Sequence, residues 1–293
     1  MQLHLDTQHY VTRHVSPLPF ASGETSQDEA QIAAFLDARQ RSLGLPFIDS
    51  AALAAQWQHQ PKQASFLTMT QALLTKLDLP SGMPLELVLF CHWSSDCEMG
   101  HSISNFIVEH CQAKQAFAFA ISESGPVAPF LAYDLVCRWS LNQGHALVIT
   151  ADQSSHMHRS HNLSDHQTDN VGAAMLWSNS EPTGMRSGYH AITPADPLVS
   201  SEWCDAVQAV CPFDLHTAHI LTDTRSQAYW MPHSQATVFD DGAPSAWPFH
   251  LAKPWLAMLA QNQPSVSGLV LCRTYRDTTH LLWFYPENRD ENS

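Results

Sequence analysis

The sequence predicts an α/β chain built on a largely buried sheet, and three observations carry that prediction. Near-continuous apolar runs (LELVLF at 85–90, AFAFAI at 116–121, ALVITA at 146–151, VGAAMLWS at 171–178) read as strands of a largely buried sheet. Helical stretches lie between them at crossover spacing, which suits parallel strands and argues against a sandwich or a bundle. The 293 residues, 44% of them hydrophobic, supply core enough for one large domain or two half-sized ones.

In chain order, AFLDARQRSLG (34–44) and ASFLTMTQALLTKLDLP (64–80) read as amphipathic helices, the second with Phe66, Met69, Leu73 and Leu77 on one stripe and Pro80 as its stop. The strand at 85–90 is followed by a helix, MGHSISNFIVEHC (99–111), and the strand at 116–121 by another, PVAPFLAYDLVCRWSLNQG (126–144). The early prolines of the latter suit a first turn and Gly144 suits a C-terminal cap. The strand at 171–178 begins with small residues, where backbones approach closely. Three stretches rich in Pro, Ser and Asp mark loops at 16–30, 179–200 and 232–248. The middle one divides residues 1–180 from 181–293. Beyond it come a helix near 201–211, a strand near 218–222, a helix near 247–259 and two closing strands, 267–273 and 280–285, around the hairpin loop TYRDTT. This condensed echo of the first half suggests duplication.

Charge excludes several partners. The 14 Lys and Arg against 28 Asp and Glu give a net charge of −14, which repels phosphate backbones and anionic membrane surfaces. No window approaches the roughly 20 apolar residues of a membrane helix, and MQLHLDTQHYVTRH lacks the apolar core of a signal peptide, so a cytoplasmic protein is expected. Seven cysteines (Cys91, Cys97, Cys111, Cys137, Cys204, Cys211, Cys272) without regular spacing suit reduced thiols. The histidines of the 154–169 stretch (His156, His158, His161, His166) read as part of a solvated loop rather than a metal centre, because no periodicity fixes them on one face. Neither a metal nor a cofactor is expected.

The run from about Gln63 to Ser178 resembles the N-terminal half of ketoacyl synthase III enzymes, members of the thiolase-like superfamily. The resemblance rests on ASFLTMTQALLTKLDLPSGMPLELVLF, on AFAFAIS entering a long helix, on ALVITADQSS and on DNVGAAMLWS, in that order; SGLVLCRTYRDTTHLLWFY resembles the family's last two strands. It implies a thiolase-like fold of duplicated α-β-α layered halves, with the second half shortened. It also implies that the strand AFAFAIS delivers a nucleophilic cysteine to a helix N-terminus, where the helix dipole favours the thiolate.

Here that run reads AFAFAISESGPVAPF, so the family cysteine falls at Ser124 or Gly125, and no cysteine lies between Cys111 and Cys137. The family's histidine falls at Asp223 under one alignment, while MPHSQA offers His233; its asparagine falls at Ala243. A chain of this family without the thiol is most similar to the non-catalytic subunit of heterodimeric 2-heptyl-4-quinolone synthases. The resemblance therefore implies a heterodimer with a cysteine-bearing ketoacyl synthase III-like sister that handles acyl-CoA or acyl carrier protein substrates. Only four lysines (Lys62, Lys76, Lys114, Lys253) are present, few for holding a CoA diphosphate. His92 and Trp93, after the strand at 85–90, and Ser122 and Glu123 are expected near the pocket. Glu123 opposes the negative charge that acyl transfer develops.

Competing readings are a serine-dependent acyltransferase using Ser124 with His233, a chain-length factor of a type II polyketide system, and a homodimer that binds an acyl ligand without chemistry. Against the serine nucleophile stands helix capping by Ser122 and Ser124 before Pro126.

Overall fold

A computed structural model describes residues 3–15, 29–42, 44, 49–58, 64–94, 96, 98, 100–122, 124–139, 141–153, 170–179, 185–193, 200–230, 235–240, 243–261 and 266–286. Ten strands run β1 Leu3–Val15, β2 Leu85–Cys91, β3 Phe117–Ile121, β4 His145–Asp152, β5 Asn170–Ser178, β6 Met185–Ile192, β7 His219–Asp223, β8 Ala236–Phe239, β9 Leu269–Tyr275 and β10 Thr278–Pro286. Among the described residues seven α-helices run α1 Glu29–Ser42, α2 Ser50–Gln58, α3 Phe66–Leu77, α4 Ile103–His110, α5 Ala128–Trp139, α6 Ser200–Val210 and α7 Trp247–Ala260.

The strands form one sheet in the order β3-β2-β4-β5-β1-β6-β10-β9-β7-β8. Duplication is written into that order. Counted from β6, the second five strands are arranged as the first five are, with the same directions: β2 is parallel to β3 and β4, as β7 is to β8 and β9, and β5 and β10 are each antiparallel to the strands beside them. The antiparallel pair β1–β6 joins the two sets.

Side-chain alternation then builds layers. Leu87 and Leu89 of β2 join Leu269 and Leu271 of β9 in one core with Phe130 of α5 and Phe249 of α7, so these two helices lie between the inner faces of both halves. Val88 and Phe90 point the other way, onto α3 and α4. Val270 and Cys272 likewise meet Trp203 of α6 and Trp230. The inner parallel strands β2 and β9 are thus apolar on both faces, which is why each reads as a continuous run.

Several expectations need correction. The loop expected at 179–200 contains β6, whose Ser187 Oγ donates to the Leu3 carbonyl at 2.7 Å, and that at 232–248 contains β8. The opening segment, expected only to lack a leader, forms β1. Its alternation is interrupted where the register with β5 shifts between Asp6 and Tyr10; Asp6 Oδ1 accepts the Gln8 amide at 2.8 Å and so holds the bulge. The helix expected over 126–144 ends at Trp139, because Glu86 draws in the amides of Asn142, Gln143 and Gly144 and turns the chain toward β4. The helix expected over 64–80 ends at Leu77, before Pro80: Asp78 takes a left-handed conformation and donates its amide to the Leu74 carbonyl. Among the described residues, no helix is long and apolar enough to cross a membrane.

Candidate functional site

Three consecutive residues at the end of β9 reach Ala243, where the resemblance places the asparagine, and Asp223 and Gly125, each one of the two candidates it offers for the histidine and the cysteine. Arg273 donates from Nη2 to the carbonyl of Ala243 and from Nη1 to that of Pro244, the latter at 3.0 Å. Thr274 donates its amide to Oδ2 of Asp223 at 2.6 Å. Tyr275 lays its ring over Gly125, so close that a Cβ at Gly125 would sit 2.7 Å from the ring carbon Cζ. One strand end of the second half thus closes over a turn of the first.

Local sequence explains each placement. Gly125 opens a single 3₁₀ turn, Gly125–Val127, that leads into α5, and its φ of +58° lies in the left-handed region that glycine favours. Pro126 fits because the first turn needs no amide donor there. Ser124 stands at the N-cap of that turn, yet its hydroxyl makes no capping bond, which corrects the capping role expected for it. Cys91 is buried at the end of β2, and burial, aided by the charge of Asp152, pushes its thiol far above the range of a reactive cysteine.

Asp223 is fully buried and bonded to Ser226 N at 2.8 Å as well as to Thr274 N. Burial raises its pKa, while those backbone bonds and the charge of Arg273 act in the opposite direction. Beside it Ser226 Oγ, Thr274 Oγ1 and Thr279 Oγ1 form a chain at 2.5 and 2.7 Å. Arg273, also fully buried, stacks 5.5 Å above the Phe239 ring. At the facing strand ends of the first half, Asp152 Oδ1 accepts the amides of Trp93 and Ser94 at 2.6 and 3.0 Å, and its Oδ2 accepts the Ser245 amide at 2.5 Å and the Ser245 hydroxyl. Ser245 Oγ also meets Thr150 Oγ1 at 3.0 Å. Asp152 therefore ties the loop after β2 to the loop before α7. Asp152, Asp223 and Arg273 bond chiefly to backbone groups, which is the chemistry of a fastened loop junction.

Of the other pocket residues, His92 holds the Ser94 carbonyl at 2.8 Å through Nδ1 and packs against Phe66 and Phe90. It lines a cleft of about 560 Å³ on the α3–α4 side of the sheet, with Asp96, His101 and Phe119; Trp93 and Ser122 do not line that cleft. Glu123, His233, Cys97 and the histidines at 156, 158, 161 and 166 lie outside the described residues. Sequence reasoning missed Asp152, Arg273 and Tyr275. Two of them carried a signal, since an Asp and an Arg at the ends of apolar strand runs (ALVITAD, SGLVLCR) must be compensated where they are buried.

The duplicated strand order, the central α5 and α7, and the turn at the end of β3 define the thiolase-like fold. OleA of Xanthomonas campestris, in a variant form, superposes with a TM-score of 0.57 at 11% identity, covering 97% of this chain and 98% of that one. ChlB3, described as an acyltransferase, gives 0.57 at 12% identity and covers 98% of both. The cysteine-to-serine variant of OleA with bound lauric acid and lauroyl-CoA gives 0.56 at 13% identity, covering 97% and 99%. No protein-family model and no curated protein sequence matches the chain.

Proposed function

We propose that this chain is a catalytically silent ketoacyl synthase III-like subunit, which pairs with a cysteine-bearing sister and shapes or stabilises that sister's acyl-binding site, in the manner of the non-catalytic subunit of a 2-heptyl-4-quinolone synthase. The observation that carries the reading is the end of β9. Tyr275 fills the space a nucleophile at Gly125 needs, Asp223 is consumed by backbone amides, and at Ala243 only a carbonyl is offered, to Arg273. Among the described residues this arrangement offers no activated nucleophile for acyl transfer through a covalent intermediate.

An exposed sheet edge supports the pairing. Among the described residues β3 pairs only with β2, while Phe117 is 53% exposed and stacks on Trp139, itself 43% exposed, at 5.1 Å. An unpaired apolar edge is an aggregation hazard unless a partner covers it. Phe117→Asp and Trp139→Asp are each expected to weaken association with the sister at least about thirtyfold, measured by co-purification and sedimentation, with the thermal midpoint of the isolated chain little changed.

Two experiments test the reading. In co-expression, the two chains are expected to elute together and the sister's turnover to depend on this one; separate elution with independent sister activity overturns it. In intact mass spectrometry after incubation with acyl-CoA and acyl carrier protein thioesters, no adduct is expected on the wild type. An adduct lost in Ser124→Ala would make the chain an acyltransferase in its own right.

A further inference from the structure

His14, near the end of β1, and His250, in the first turn of α7, bring their Nε2 atoms to 2.9 Å. Their ring centroids are 4.2 Å apart and the planes are perpendicular. The rings thus meet in a T, with their Nε2 atoms as the contacting polar atoms. Two imidazole nitrogens bound to one ion at about 2.0–2.1 Å, at an angle of about 90–110°, stand roughly 3 Å apart. The pair therefore already has the nitrogen spacing of two ligands of one cation.

His14 is exposed and His250 half-buried, so an ion can reach the pair. Trp247 flanks both rings, 5.5 Å from His14 and stacked 5.6 Å from His250. β1 belongs to the first set of strands and α7 to the second half of the chain; the same seam is bonded by Tyr10, whose hydroxyl donates to the Phe249 carbonyl at 2.5 Å.

We propose that His14 and His250 form a two-imidazole site for a late first-row divalent cation of the Zn²⁺ and Ni²⁺ class, which clamps β1 to α7 and so fastens the two halves together. Among the described residues no set of three His, Cys, Asp or Glu side chains is placed to hold a metal, so water completes the coordination and occupancy follows the free-cation level. The clamp concerns stability across the seam and is independent of the role proposed for the end of β9.

The test uses the full chain, Ni²⁺ and Zn²⁺. At a hundredfold excess over Kd, either ion is expected to raise Tm by about 5 °C. Ni²⁺ is also expected to quench tryptophan emission with one-site stoichiometry, through Trp247. His14→Ala and His250→Ala should each weaken binding at least tenfold with the metal-free Tm near that of the wild type; if either melts early, His14→Gln and His250→Gln, which keep bulk and polarity but ligate poorly, decide. Trp247→Phe should keep the Tm rise and lose most of the quenching. Absence of any metal-dependent Tm rise in the wild type overturns the proposal, as does an undiminished rise in the His14, His250 double variant.

Discussion

Gly125→Ala is expected to lower the unfolding free energy by about 2–4 kcal/mol, measured by urea denaturation. Two costs combine. A residue with a Cβ held at a left-handed φ is strained by about 1–2 kcal/mol, and the new methyl meets the Tyr275 ring at 2.7 Å, an overpacking that typically costs about 1–3 kcal/mol. The second cost depends on Tyr275, so the double variant with Tyr275→Ala should lose less than the sum of the singles, by about 1 kcal/mol or more. Strict additivity would show that Tyr275 does not close this position. The same geometry bears on chemistry, because a cysteine at Gly125 fits only when Tyr275 is cut back. Gly125→Cys alone is therefore expected to remain unacylated.

Asp152→Ala is expected to cost about 3–5 kcal/mol, since buried donors left without an acceptor cost about 1–3 kcal/mol each. The variant strips the acceptor from the amides of Trp93, Ser94 and Ser245 together, where Asp152 joins the loop after β2 to the loop before α7. Asp152→Asn keeps one acceptor oxygen but turns an amide donor toward N–H groups, so an intermediate loss is expected. A cost below 1 kcal/mol for the alanine variant would mean that the two loops are held by other contacts.

How much of this was legible in the sequence varies by element. β2, β4, β5, β7, β9 and β10 announce themselves because strands buried on both faces need apolar residues at every position. β6 was hidden by its burial on one side only, by Gly188 in its centre and by the Pro- and Ser-rich stretch around it; β8 is four residues long and half exposed. β1 was hidden by its bulge, which breaks the period-two pattern at Thr7–His9. Gly125 could be placed at the turn after β3, and the lack of a thiol there is a plain property of the sequence. That a tyrosine 150 positions later would cover it could not be read, because nothing local links the two residues.

Fold class, the order of the apolar runs and the missing cysteine are all set by residues a few positions apart and could be read along the chain. Only the tertiary structure decided that Arg273, Thr274 and Tyr275 meet Ala243, Asp223 and Gly125, and that His14 faces His250. Those meetings depend on how two repeats with the same strand order join through β1 and β6 and pack on α5 and α7. The physical reason is that apolar burial is indifferent to which residues meet, whereas a polar or steric contact between distant segments exists only once the chain has placed both.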